Sequence, residues 1–120
     1  MPRILTVDDS AAMRQMVEVT LTSAGYDVQQ AKDGREALAI AGASAFDLVI
    51  TDVNMPQMDG LTLVRELRGM ESYRHTPLLV LTTEATADRK SEGREAGATG
   101  WLVKPFNPDR LLATVAKVLK

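Results

Sequence analysis

Residues 48–52 read Leu48-Val49-Ile50-Thr51-Asp52, a short run that ends on an acid. The run is apolar along its length rather than alternating. That pattern suits a strand buried on both faces, as in a parallel sheet covered by helices. Three other runs share it: Ile4-Leu5-Thr6-Val7, Leu78-Leu79-Val80-Leu81 and Trp101-Leu102-Val103. A fifth, Val28-Gln29-Gln30-Ala31, is more polar and suits a sheet edge.

Helical patterns separate the runs. Met13, Met16, Val17, Leu21 and Ala24 recur at spacings of three and four and form one apolar stripe. Here Met13 and Met16 read as core. Ser10 suits the N-cap and Gly25 the stop. Asp33 and Glu36 resemble a capping box opening a second helix that closes near Gly42. Leu61, Val64 and Leu67 mark a third. Asn107-Pro108 opens the last, with Leu111, Leu112, Val115 and Leu119 facing inward. Between Glu84 and Ala96 the pattern is weak. Its inward candidates, Ala85, Ala87 and Ala96, are small, and Gly93 costs about 1 kcal/mol against alanine in a helix interior. This segment reads either as a mobile element or as a closely packed one. The charged residues Asp88, Arg89, Lys90, Glu92, Arg94 and Glu95 read as a solvated face.

Strict strand–helix alternation with right-handed crossovers predicts an α/β, doubly wound parallel sheet of five strands. A chain of 120 residues has room for one such domain, residues 1–120. Net charge is −2 with a pI near 5.4, so nothing forms a basic footprint for nucleic acid or an anionic membrane. There is no cysteine and a single histidine, His75, which reads as a solvated loop residue. Thiolate chemistry is excluded, and His-rich metal sites and histidine triads are disfavoured. No apolar run is long enough to span a bilayer, and no signal peptide precedes the first strand. The expectation is a cytoplasmic domain working through carboxylates, hydroxyls and lysine.

Ligands of an open parallel sheet bind beyond the carboxyl ends of its strands. There stand Asp8 and Asp9 after the first run, Asp52 after 48–51, Thr82 and Thr83 after 78–81, and Lys104-Pro105 after 101–103. Each group alone has a plain reading as a cap, turn or strand end. Their fall on one edge carries the functional reading. Three adjacent carboxylates repel, and a divalent cation relieves this. Oxygen donors without histidine or cysteine suit Mg²⁺. A cation, a lysine and a hydroxyl donor are what a phosphoryl group needs around it. Asp52, alone on a middle strand, suits a carboxylate nucleophile that becomes an aspartyl phosphate.

Val7-Asp8-Asp9-Ser10, Asp52-Val53-Asn54-Met55-Pro56 with Asp59-Gly60, Leu81-Thr82-Thr83-Glu84, and the run from Gly97 to Phe106 resemble the signature blocks of bacterial response-regulator receiver domains. The resemblance covers essentially the whole chain. Met13-Arg14 after the acidic pair makes it most similar to single-domain chemotaxis regulators of the CheY type. The resemblance implies a flavodoxin-like strand order 2-1-3-4-5. It implies Asp52 as phosphoacceptor, fed by a sensor histidine kinase, of the CheA type if the role is chemotaxis. Asp9, Asp52 and the Asn54 carbonyl would ligate Mg²⁺, with Asp8 acting mainly through a water. Lys104 would bind the phosphoryl group, and its bond to Pro105 would be cis. Thr82 would turn inward and Trp101 follow it, reshaping the face of the fourth helix, fifth strand and fifth helix, where a downstream protein target docks. Asn54 and Glu84 would set the rate of acyl-phosphate hydrolysis. Trp101 stands where Tyr, Phe or His is usual, and Thr83 is larger than the common Ala or Gly. Met55 would lie beside the acceptor.

The expected protein is thus a monomeric switch that catalyses only its own phosphorylation and dephosphorylation. Three other readings stand beside this one. A flavodoxin-like FMN protein would need a Gly-rich phosphate loop where Asp8-Asp9 stands. A phosphatase or other hydrolase working through an aspartyl phosphate would need an added cap domain or a second acid where Asn54 stands. A receiver cut from a larger regulator differs only beyond this sequence.

Overall fold

The computed structural model describes residues 1–120. The chain runs β1 (Arg3–Val7), α1 (Ala11–Ser23), β2 (Asp27–Ala31), α2 (Gly34–Ala43), β3 (Leu48–Thr51), α3 (Gly60–Arg68), a 3₁₀ turn (Glu71–Tyr73), β4 (Leu78–Thr82), α4 (Ala87–Ala96), β5 (Gly100–Val103) and α5 (Pro108–Val118). All strand pairs are parallel, in the order β2-β1-β3-β4-β5. The expected fold class and strand order are both present.

The caps explain where the helices begin. Ser10, Asp33, Asp59, Thr86 and Asn107 each accept a backbone N–H from three residues on, satisfying a donor the helix cannot. The Glu36 side chain reaches back as a capping box does, but to the Lys32 N–H at 3.1 Å rather than to that of Asp33.

Successive strand residues feed opposite faces of the sheet. Leu5, Val7, Val49 and Leu78 join Ala37, Ala41, Leu63, Val64 and Leu67 on the α2/α3 side. Ile4, Leu48, Ile50, Leu79 and Leu81 join Val17, Leu21, Leu111 and Val115 on the α1/α5 side. This two-sided burial is what the unbroken apolar runs encode.

Several expectations of burial fail, Ala24 of the first helix's stripe among them, which is exposed. Trp101-Leu102-Val103 is not buried on both faces: β5 is an edge strand, with Trp101 and Leu102 half-buried and Val103 exposed. Met16 is exposed, not core, because α1 packs through Val17 and Leu21. In the weak helix, Ala85 and Ala87 lie exposed before and at its start, while Gly93 and Ala96 are buried. Packing at α4 therefore comes from a glycine and an alanine, the close approach that small residues allow.

Candidate functional site

Asp8 and Asp52 continue the ladder just past the strands. The Asp8 N–H donates to Ala31 O at 3.2 Å, and the Asp52 N–H to Val7 O at 3.0 Å. Strand pairing thus fixes both side chains at the carboxyl edge. Asp8 Oδ1 accepts the Ser10 N–H at 2.9 Å, and Asp52 Oδ1 accepts the Val53 N–H at 2.6 Å. The other two oxygens face Lys104. Its Nζ donates to Asp8 Oδ2 at 2.7 Å and to Asp52 Oδ2 at 2.8 Å. Lys104 is placed by its own N–H, which donates to Thr82 O at 2.8 Å, and its bond to Pro105 is cis.

Backbone approach sharpens the site. A Cβ on Gly60 would lie 1.8 Å from Asp52 O, so only glycine lets the start of α3 close against the acceptor strand.

Asp8, Asp9 and Asp52 each bring a carboxylate oxygen within 4.8 Å of the others. Asp8 and Asp52 are buried, and Asp9 is exposed. One lysine cannot balance three carboxylates. Burial pushes the Asp8 carboxyl up from its ordinary value, against the hydrogen bonds from Lys104 and Ser10, and the nearby Asp52 charge adds to the rise. Burial alone would lower Lys104, but hydrogen bonds to Asp52 and Asp8 outweigh it and hold the ammonium above its ordinary value. Hard oxygen donors in surplus negative charge suit a divalent cation such as Mg²⁺.

Thr82 is buried, and its hydroxyl accepts the Glu84 N–H at 3.3 Å. Trp101 Nε1–H donates to Glu84 O at 2.8 Å, which ties β5 to the loop after β4. Asn54 Nδ2–H donates to Glu84 Oε1 at 3.4 Å. Thr83 is exposed, and Met55 packs against the α2/α3-side core.

Two arginines make contacts that the sequence reading did not assign to them. Arg14 Nη1–H donates to Asp8 O at 2.7 Å and Nε–H to Gln30 at 3.1 Å, steadying the acidic turn. Its position one turn into α1 could have flagged it, because helix side chains lean toward the N-terminus and so back over the strand end. Arg89 is not part of a solvated face: its guanidinium pairs with Glu92 at 3.0 Å and lies 3.9 Å from Glu84 Oε1. Lys90, Glu92, Arg94 and Glu95 are exposed as expected, and so is His75.

Comparison with known proteins agrees. The sequence model of the response regulator receiver domain matches residues 4–116. Chemotaxis protein CheY4 of Vibrio cholerae is 54% identical, with a TM-score of 0.95 over 98% of each chain. Response regulator TrrA of Thermotoga maritima, solved in complex with Mg²⁺ and BeF, is 34% identical, with a TM-score of 0.88 over 98% of this chain and 99% of that one. The transcriptional regulator RpaA of Synechocystis is 40% identical over the full length of this chain, which spans 50% of that protein. Because the family match runs from the first strand to the last helix and takes in every residue gathered at the carboxyl edge, the chain belongs to the response regulator receiver domain family.

Proposed function

We propose that this domain is a phosphorylation switch that takes a phosphoryl group on Asp52 from a phosphohistidine of a sensor histidine kinase. The observation that carries the reading is the buried Asp52 carboxylate, paired with Lys104 at 2.8 Å and set within a three-carboxylate cluster. An Asp52 carboxylate oxygen attacks phosphorus. The new O–P bond forms as the donor's N–P bond breaks, and the electron pair leaves with the imidazole. Lys104 neutralises the growing charge on the phosphoryl oxygens, and the Thr82 hydroxyl donates to one of them. Asp9, Asp52, the Asn54 carbonyl and, through water, Asp8 are the groups that would hold Mg²⁺. When bound, that ion supplies charge neutralisation and orientation of the phosphoryl oxygens.

Hydrolysis reverses the modification, with Asn54 and Glu84 bordering the route of the attacking water. In this reading the domain transforms nothing but its own aspartate. Phosphorylation shifts a two-state equilibrium, and the α4-β5-α5 face reads it out to a protein target. Chemotaxis in the cytoplasm is the setting favoured by the likeness to CheY4 over 98% of both chains. A second reading, the receiver part of a larger regulator, is favoured by the half-length match to RpaA.

The test is incubation with Mg²⁺ and acetyl phosphate, read by intact mass. One phosphoryl adduct on the natural chain and none on Asp52→Asn are expected. An equal adduct on the variant would reject Asp52 as the acceptor.

A further inference from the structure

Glu84 is shared between two partners that cannot both hold it well. Its Oε1 accepts from Asn54 Nδ2 at 3.4 Å, a long contact, and the same atom lies 3.9 Å from Arg89 Nε. Arg89 Nε is itself buried and has no hydrogen-bond partner, while its Nη1 is engaged with Glu92 at 3.0 Å. A buried, cationic N–H without an acceptor is unfavourable, and the Glu84 carboxylate stands 3.9 Å from it. The Glu84 backbone does not follow the side chain, because its carbonyl is held by Trp101 Nε1 at 2.8 Å. Rotation of the side chain alone would move the carboxylate between Asn54 and Arg89.

The two positions differ in what they do to the site. Asn54 stands two residues after Asp52, and Glu84 two residues after Thr82, on the loops that follow neighbouring strands β3 and β4. Contact between the two side chains bridges the loops that follow β3 and β4, close in sequence to Asp52 and Thr82. Closer contact of Glu84 with Arg89 would draw the carboxylate toward α4 and undo that bridge.

We infer that Arg89 is a positioning residue for the turnover of the Asp52 phosphoryl group, drawing Glu84 off Asn54 to admit water. This rests on Asp52 being the phosphoacceptor. Arg89 touches neither the phosphoryl group nor its attacking water. It works through one carboxylate, half-exposed at 34%, so its effect is of the size of a screened ion pair rather than of a catalytic group.

The experiment loads the protein with acetyl phosphate and Mg²⁺, removes the donor, and follows loss of the adduct by intact mass. Arg89→Ala is expected to slow the decay about fivefold, the scale of one partly exposed charge pair. In a Glu84→Ala background, the same substitution is expected to leave the decay unchanged. A merely structural role in α4, or a direct effect of the charge on the phosphate, slows both backgrounds alike and overturns the inference. An unchanged or faster decay of Arg89→Ala in the natural background also overturns it. If the natural chain takes no adduct on Asp52, it is the phosphoacceptor reading that fails.

Discussion

The indole of Trp101 fills the space that a side chain on Gly93 would occupy: a Cβ on Gly93 would stand 2.5 Å from Trp101 Cζ3 and 2.9 Å from Cε3. The glycine that weakens α4 as a helix is the slot that lets β5 carry an indole. The ring also packs against the Val53, Leu61 and Val80 cluster, while its N–H holds Glu84 O. Gly93→Ala gains about 1 kcal/mol of helix propensity but overpacks the slot at a cost of about 1–3 kcal/mol. A net loss of about 1 kcal/mol is expected, with a shift in Trp101 emission as the indole leaves its hydrogen bond. In a Trp101→Ala background the clash is gone, and the same substitution should stabilise. Thermal melts and fluorescence of the four chains decide this.

Lys104 makes the apo domain sensitive to alkali. Its folded value lies above the unfolded value of 10.5, so its contribution is complete below pH 10.5. That contribution is lost as pH rises from there through the folded value. Denaturant melts in EDTA should show this decline in the natural chain, and Lys104→Gln should lack that part of it. Asp8 has the same sign at the acid end. Its folded value is raised, so its ionisation lowers stability as pH climbs from 3.8 through the folded value, and Asp8→Asn should remove that slope.

Arg68 is a clamp at the opposite end of the sheet from the acids. Its Nε–H donates to Gly97 O at 2.9 Å, and Nη1 donates to Tyr73 O and Thr76 O, each at 2.7 Å. One guanidinium thus ties the ends of α3 and α4 to the approach to β4. Arg68→Ala leaves several carbonyls without a donor and should cost about 3 kcal/mol in urea melts. Arg68→Lys should recover little, because a point charge cannot serve a fan of acceptors.

Divalent cation should stabilise the fold through the acidic trio. At a hundredfold excess over its Kd, Mg²⁺ should add about 2.7 kcal/mol, seen as a higher Tm and reversed by EDTA. Asp52→Asn and Asp9→Asn should each shrink that shift. A full shift in both variants would place the ion elsewhere.

Much of the site is legible in the sequence because it obeys a local rule: read the residue after each apolar run. That rule finds Asp8, Asp52, Thr82 and Lys104, although Lys104 and Asp8 lie 96 residues apart. It works because parallel strands in one sheet end on one edge. It misleads for β5, where an apolar run looks the same whether one neighbour strand or two will cover it. It is silent on Arg89, whose charge reads as solvated until the packing buries Nε.

By itself, the sequence determined the α/β order, the strands, the helix caps and the acids and lysine at the strand ends, since each follows from periodicity or from a side chain bonding its own near backbone. Only the tertiary structure decided that Gly93 faces Trp101, that Glu84 lies between Asn54 and Arg89, and that Arg68 reaches Gly97, Tyr73 and Thr76. Those relations join segments through the shape and hydrogen-bonding capacity of particular side chains. No pattern along one segment encodes what its partner offers.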